Sequence, residues 1–103
     1  NAASVGDYFI ARLRELAARF ECIGDVRGKG LMIGMELVAD RASRKPARAL
    51  CAAVLTRAFH NGLLLLSCGQ STVRFIPPLV VSREQIDEAM PMIETSLREA
   101  LAA

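Results

Sequence analysis

The chain has 103 residues, with 13 basic and 11 acidic side chains for a net charge of +2, enough for one domain that buries only roughly 65% of its unfolded surface by size scaling. Hydrophobic residues make up 52% against 23% charged, so part of the surface is expected to be covered by something else. The dispersed charges lack the basic stripe with interleaved aromatics that nucleic-acid binding needs, no apolar run nears the roughly 20 residues of a membrane span, and Asn1-Ala-Ala-Ser does not read as a secretion signal.

In chain order, Val5, Phe9, Leu13, Leu16 and Phe20 recur at steps of three and four while Arg12, Arg14, Glu15 and Arg19 take the opposite face. This predicts an amphipathic helix from Val5 to Phe20 with Ser4 as its N-cap. Two runs rich in Ile, Val, Met and Leu follow, Cys22 to Arg27 and Leu31 to Val38, split by Gly28-Lys29-Gly30. They predict two antiparallel strands or one strand with a glycine bulge. Pro46, whose missing N–H costs nothing in a first turn, is expected to open a second helix running to Asn61. The apolar face of that helix is wide (Leu50, Cys51, Val54, Leu55, Ala58, Phe59), and Asn61-Gly62 supplies a left-handed stop. Strands are then expected from Leu63 to Ser67 and from Thr72 to Ile76, ended by Pro77-Pro78. Ser82 and Gln85 form a capping box, and Ile86, Met90, Ile93, Leu97 and Leu101 mark a last helix from Arg83 to Ala100. Pro91 falls inside it and predicts a kink or a break into two shorter helices. The element order implies an α+β fold, a small sandwich of three helices packed on a largely antiparallel three- to four-stranded sheet.

Most chemistry-bearing residues have an ordinary reading. Cys22, Cys51 and Cys68 fit neither a disulfide framework nor zinc-ligand spacing, and they read as reduced, mostly buried thiols of a cytoplasmic protein, with no metal site. Gly28-Lys29-Gly30 is too short for a phosphate loop and reads as a tight turn. His60, the only histidine, has no nucleophile at interpretable spacing and suits a helix C-terminus. Glu36 reads as the solvent side of an alternating strand.

Arg74 has the better claim to a function. It sits in Thr72-Val-Arg-Phe-Ile-Pro-Pro-Leu79, after the apolar run of Gly62-Leu-Leu-Leu-Leu-Ser-Cys-Gly69. A guanidinium held on a strand beside a core is costly unless an anion meets it, so Arg74 asks for a carboxylate, internal or on a bound ligand. Strand arginines are more often exposed or internally paired, but loops at strand ends are where ligands are met, which moves the balance toward a ligand. No complete catalytic centre is visible, and no catalytic residue is assigned.

Asp25-Val-Arg-Gly-Lys-Gly-Leu-Met-Ile-Gly-Met-Glu-Leu37, Gly62-Leu-Leu-Leu-Leu-Ser-Cys-Gly69 and Val73-Arg-Phe-Ile-Pro-Pro-Leu79, with the terminal helix, resemble the C-terminal segment of class III, fold-type I, pyridoxal-phosphate-dependent aminotransferases. Within that family the 4-aminobutyrate aminotransferases are the nearest match. The resemblance covers nearly the whole chain, in order, and implies that residues 1–103 are the C-terminal small domain, with the large cofactor-binding domain absent. The implied partners are that large domain, a homodimer mate, and amino acid and 2-oxo acid substrates; the implied reaction moves an amino group from an ω-amino acid to a 2-oxo acid, with the cofactor as electron sink. In the family, the arginine of the strand before the two prolines binds the substrate carboxylate, a role the resemblance carries to Arg74 alone. The family's Schiff-base lysine lies in the large domain, and neither Lys29 nor Lys45 sits in its motif. No cofactor-binding residue is therefore assigned, and the chain alone is expected neither to bind pyridoxal 5'-phosphate productively nor to transaminate.

With no initiator methionine, the chain is expected to be part of something longer. The rival readings are a binding or assembly module that keeps the fold without the chemistry, the same domain of an acetylornithine or ornithine aminotransferase, and a ferredoxin-like regulatory domain. The wide face of the second helix and the Leu63 to Leu66 run lead us to expect self-association of the isolated chain.

Overall fold

A computed structural model describes residues 2–30, 32–75 and 82–102. Its elements are α1 (Ala2–Ala17), β1 (Ile23–Lys29), β2 (Met32–Leu37), α2 (Arg48–His60), β3 (Leu66–Cys68), β4 (Thr72–Phe75) and α3 (Arg83–Ala102). The four strands form one antiparallel sheet in the order β1-β2-β4-β3. The α+β sandwich and the element order expected from the sequence are both present.

The first helix buries Val5, Phe9, Ile10, Leu13 and Leu16. It begins at Ala2, so Ser4 lies inside the first turn rather than capping it, and it ends at Ala17 rather than Phe20. The next two runs form a hairpin across the tight turn at Gly30, whose φ of +60° favours glycine. The bulge lies between Ile23 and Asp25, not at the Gly28 to Gly30 turn. That extra residue lets Ile23 and Val26 both face the core although they are three positions apart.

Pro46 does not open the second helix. It makes an isolated bridge with Val38, and α2 starts two residues later, at Arg48. Asp40 accepts hydrogen bonds from the Ser43 backbone N–H (2.8 Å) and hydroxyl (3.0 Å), which hold its carboxyl below the usual carboxylate range. The stop at Asn61-Gly62 is as expected: Leu63 N donates to Ala58 O (2.8 Å), Gly62 N donates to Phe59 O (3.1 Å), and Gly62 has φ +96°. These paired bonds close the helix in a Schellman motif.

Only Leu66–Cys68 of the apolar run is strand, because Leu63 is still bonded back to the helix end. Ile76, Pro77 and Pro78 lie outside the described residues, and β4 is described to Phe75. The capping box forms with both reciprocal bonds, Ser82 N to Gln85 Oε1 at 2.9 Å and Gln85 N to Ser82 Oγ at 3.2 Å. The helix it starts is a single one, running through Pro91. Pro91 and Asp87 are both exposed, so water can replace the donor that the Asp87 carbonyl loses.

Side chains from all three helices meet the inner face of the sheet, where Val26, Ile33, Met35, Leu37, Val73 and Phe75 are buried. Phe9 packs edge-on against Phe75, with ring centroids 5.2 Å apart, and ties α1 to the central strand β4. Along the α1–α3 seam, Tyr8 and Arg12 bond Asp87, and Arg19 reaches Glu94. Asn61 Nδ2 donates to buried Ser96 Oγ (3.1 Å), which in turn donates to Met92 O (2.7 Å). The core therefore fixes the inner face and leaves the other face of the sheet to carry a site.

Candidate functional site

Strand alternation sends Val73 and Phe75 into the core and Thr72 and Arg74 to the outer face. Pairing register then decides their neighbours. Arg74 stands opposite Gly34 on one side and Leu66 on the other, and Gly34 stands opposite Arg27. The next row is Asp25, Glu36, Thr72 and Cys68. With strands about 4.8 Å apart, Arg27 and Arg74 are about 10 Å apart across the sheet, with only the glycine between them. They line an open cleft of about 550 Å³ with Lys29, Met32, Thr72 and Cys68.

Most charges around this face are already neutralised. Arg27 Nη1 meets Asp25 at 3.0 Å, and Arg44 Nη2 meets Glu36 at 3.5 Å. Arg12, the other half-buried arginine, is held by Tyr8, Asp87 and Glu15, and Arg41 donates to the backbone carbonyls of Ala17, Phe20 and Ile23. Arg74 is half-buried, and among the described residues no acceptor or acid meets it. It is thus placed on the face away from the core, not buried beside it as its apolar neighbours suggested. Its five N–H donors, aimed at an open cleft, suit a planar anion such as a carboxylate.

The other candidates are scattered. Glu36 is on the outer face, half-buried and paired with Arg44, as an alternating strand predicts. His60 is exposed at the end of α2, its ring 6.2 Å from that of Phe59. Cys22 and Cys51 are buried, and burial pushes both thiols up, away from nucleophilic use. Cys68 is exposed and lines the cleft, the one exception to the expectation of mostly buried thiols. Its position, like those of Arg27 and Gly34, follows from which strand pairs with which, and no motif in the sequence states that. Among the described residues no cluster of His, Cys, Asp and Glu could hold a metal ion.

The family model described as "Aminotransferase class-III" matches residues 1–97. The chain belongs to the class III aminotransferase family. It is 42% identical over 103 residues to an alanine/serine racemase of Pyrococcus horikoshii, covering 98% of this chain and 21% of that protein. It is 39% identical over 109 residues to a taurine–pyruvate aminotransferase of Rhodobacter capsulatus, covering 99% and 24%. Its fold superimposes on a Bacillus anthracis aminotransferase structure with a TM-score of 0.90 at 28% identity, covering 95% of this chain and 23% of that one. The chain therefore spans between a fifth and a quarter of the length of these relatives.

Pyridoxal phosphate is the family's cofactor. The described residues do not fit it: Lys29 and Lys45 are both exposed, one at the end of β1 and the other in the loop before α2, and neither is set in an enclosed cradle. No step of cofactor chemistry is assigned to this chain.

Proposed function

We propose that this chain is the C-terminal small domain of a pyridoxal-phosphate-dependent class III aminotransferase and that Arg74 grips the carboxylate of the substrate. The supporting observation is that Arg74, alone among the half-buried arginines, lacks an acceptor among the described residues and opens onto a cleft, while Asp25 and Glu36 on the same face are already paired. Water and a mobile counterion are poor substitutes for a bidentate partner, so the side chain is poised for an anion brought by a ligand. Holding a carboxylate at a fixed point turns the rest of a small substrate toward one direction, and that orientation is the contribution assigned to this chain. The cofactor and its lysine belong to the rest of the parent protein, which we propose works as a cytoplasmic homodimer.

The donor proposed is an ω-amino acid such as 4-aminobutyrate, with a 2-oxo acid as acceptor. Taurine and 5-aminovalerate, named for two relatives, both carry an anion remote from the amine, which suits an arginine set apart from the reacting centre. The relatives also include acetylornithine aminotransferases and a leucine/methionine racemase, so the resemblance to 4-aminobutyrate enzymes is the narrower part of the reading. A racemase is the second reading, favoured by the 42% identity to an alanine/serine racemase.

The test uses the purified full-length protein with a panel of amino donors and 2-oxo acids. Amino-group transfer from ω-amino acids, lost when the donor lacks its carboxylate, is expected. Inversion of alanine or serine without net transfer would establish the racemase instead, and equal rates for donors with and without a carboxylate would refute the role of Arg74.

A further inference from the structure

We propose that Gly34 is a specificity-determining residue, whose missing side chain makes the slot beside Arg74 into which the carboxylate end of the substrate fits. This deepens, and rests on, the reading of Arg74 as the carboxylate clamp. A glycine in the middle of a central strand weakens the strand, so its presence needs a reason. The other six glycines have one. Gly30, Gly62 and Gly69 have positive φ, and a Cβ on Gly6, Gly24 or Gly28 would collide with neighbouring atoms.

At Gly34 the first reason is absent and the second is weak. Its φ is not in the left-handed region, and among the described residues an added Cβ would crowd one atom, the Thr72 Cγ2 methyl at 3.1 Å, which a shift of a few tenths of an ångström relieves. What the glycine does leave is the gap in the row between Arg27 and Arg74, on the floor of the cleft. A Cβ there would project to the outer face against Thr72, in the same cross-strand row as Arg74 but not touching it, and would fill part of the gap through which a carboxylate meets the guanidinium in plane. The occupant this geometry favours is the flat, unbranched end of a carboxylate chain. A branch next to the carboxylate would press on the strand backbone.

The test compares unaltered full-length protein with Gly34→Ala, Gly34→Val and Arg74→Ala, measuring calorimetric binding of butanoate and the thermal midpoint without ligand. Gly34→Ala is expected to weaken butanoate binding by about tenfold or more, as a methylene-sized clash in a pocket does, and Gly34→Val further, with midpoints within about 2 °C of the unaltered protein. If Gly34→Ala packs poorly, Gly34→Ala with Thr72→Ser removes the one crowded methyl and is expected to show the same loss of binding. Unchanged butanoate affinity in the alanine variants overturns the proposal while leaving Arg74 in place. A lowered midpoint with unchanged affinity overturns it too, and assigns the slot to another segment of the parent chain. Undiminished binding by Arg74→Ala, or no binding by the unaltered protein, sinks the clamp as well.

Discussion

Replacing Arg74 by alanine in the full-length protein removes a fork of donors and one charge from a half-exposed cleft. Each hydrogen bond to a charged group is worth about 1.5–3 kcal/mol, and losing one partner of a fully desolvated charge pair costs about 2–5 kcal/mol. Half exposure lets water take over part of that, which puts the loss near the lower end, about 2–3 kcal/mol, or about 30- to 150-fold in KM for a carboxylate donor. Arg74→Lys keeps the charge but loses the planar fork, and about a tenfold rise is expected. No described residue accepts a bond from Arg74, so its removal breaks no ion pair among the described residues, and the substrate-free thermal midpoint should move by no more than about 2 °C. Steady-state kinetics with a carboxylate donor, run beside thermal unfolding, measure both quantities. A KM change under about threefold, or a stability loss matching the affinity loss, would mean that the arginine is structural.

Three further outcomes test the fold that carries the site. Ser82→Ala removes the acceptor for the Gln85 N–H at 3.2 Å and is expected to cost about 1 kcal/mol; an unchanged urea midpoint would deny the cap. Gly62→Ala, at φ +96° with nothing within 4 Å of the new Cβ, should cost about 1–2 kcal/mol from backbone strain alone, and Gly62→Asn less, both read from the same urea curves. Glu94 is held at about 2, against 4.5 for an ordinary glutamate, first by its hydrogen bond from Arg19 and then by that from Arg98. A depressed carboxyl stabilises the fold above its unfolded pKa and loses that contribution as pH falls through the folded value. The thermal midpoint of the unaltered protein should therefore exceed that of Glu94→Gln near neutral pH, and the gap should close between pH 4.5 and about 2. A gap independent of pH over that window would rule out the ion pair as its source. Because the side chain is part-exposed, the gap is expected to reflect only about 1 kcal/mol.

The parts of this architecture legible from the sequence are those set by one element at a time. The periodicity of Val5 to Leu16, the capping pair at Ser82 and Gln85, and the Asn61-Gly62 stop each act within a few residues, and each has its expected structural counterpart in the element concerned. What escaped was set between elements. Pro46 has the right chemistry for a first helical turn, yet Val38 captures it in a bridge. The apolar run from Leu63 promises a longer strand, yet the Schellman bond holds Leu63 to Ala58 and only the last part pairs with β4. The candidate site suffered most from this, because its membership is a matter of register. Arg27, Gly34 and Arg74 lie on three strands, and only the β1-β2-β4 order makes them a row.

The outer face of the sheet has a mixed composition that bears on what Arg74 would do there. A sheet face meant for water reads as polar throughout, but this one places Met32, 62% exposed, and Leu66, 50% exposed, among Arg27, Lys29 and Arg74. Phe59 and Leu64 are also exposed, at 67% and 78%, where α2 hands over to β3. Apolar side chains interleaved with cations suit a seam between two protein layers, with charges that need specific partners and stems that need cover. This chain matches only 21% to 24% of the length of the two relatives, and in the parent protein proposed above the second layer would come from the large domain. A carboxylate held by Arg74 in such a seam would be partly shielded from water, where the lower effective dielectric strengthens its attraction to the guanidinium well beyond its value on an open surface. The isolated chain offers the same arginine to bulk solvent, so its affinity for a simple carboxylate should fall well below that of the full-length protein.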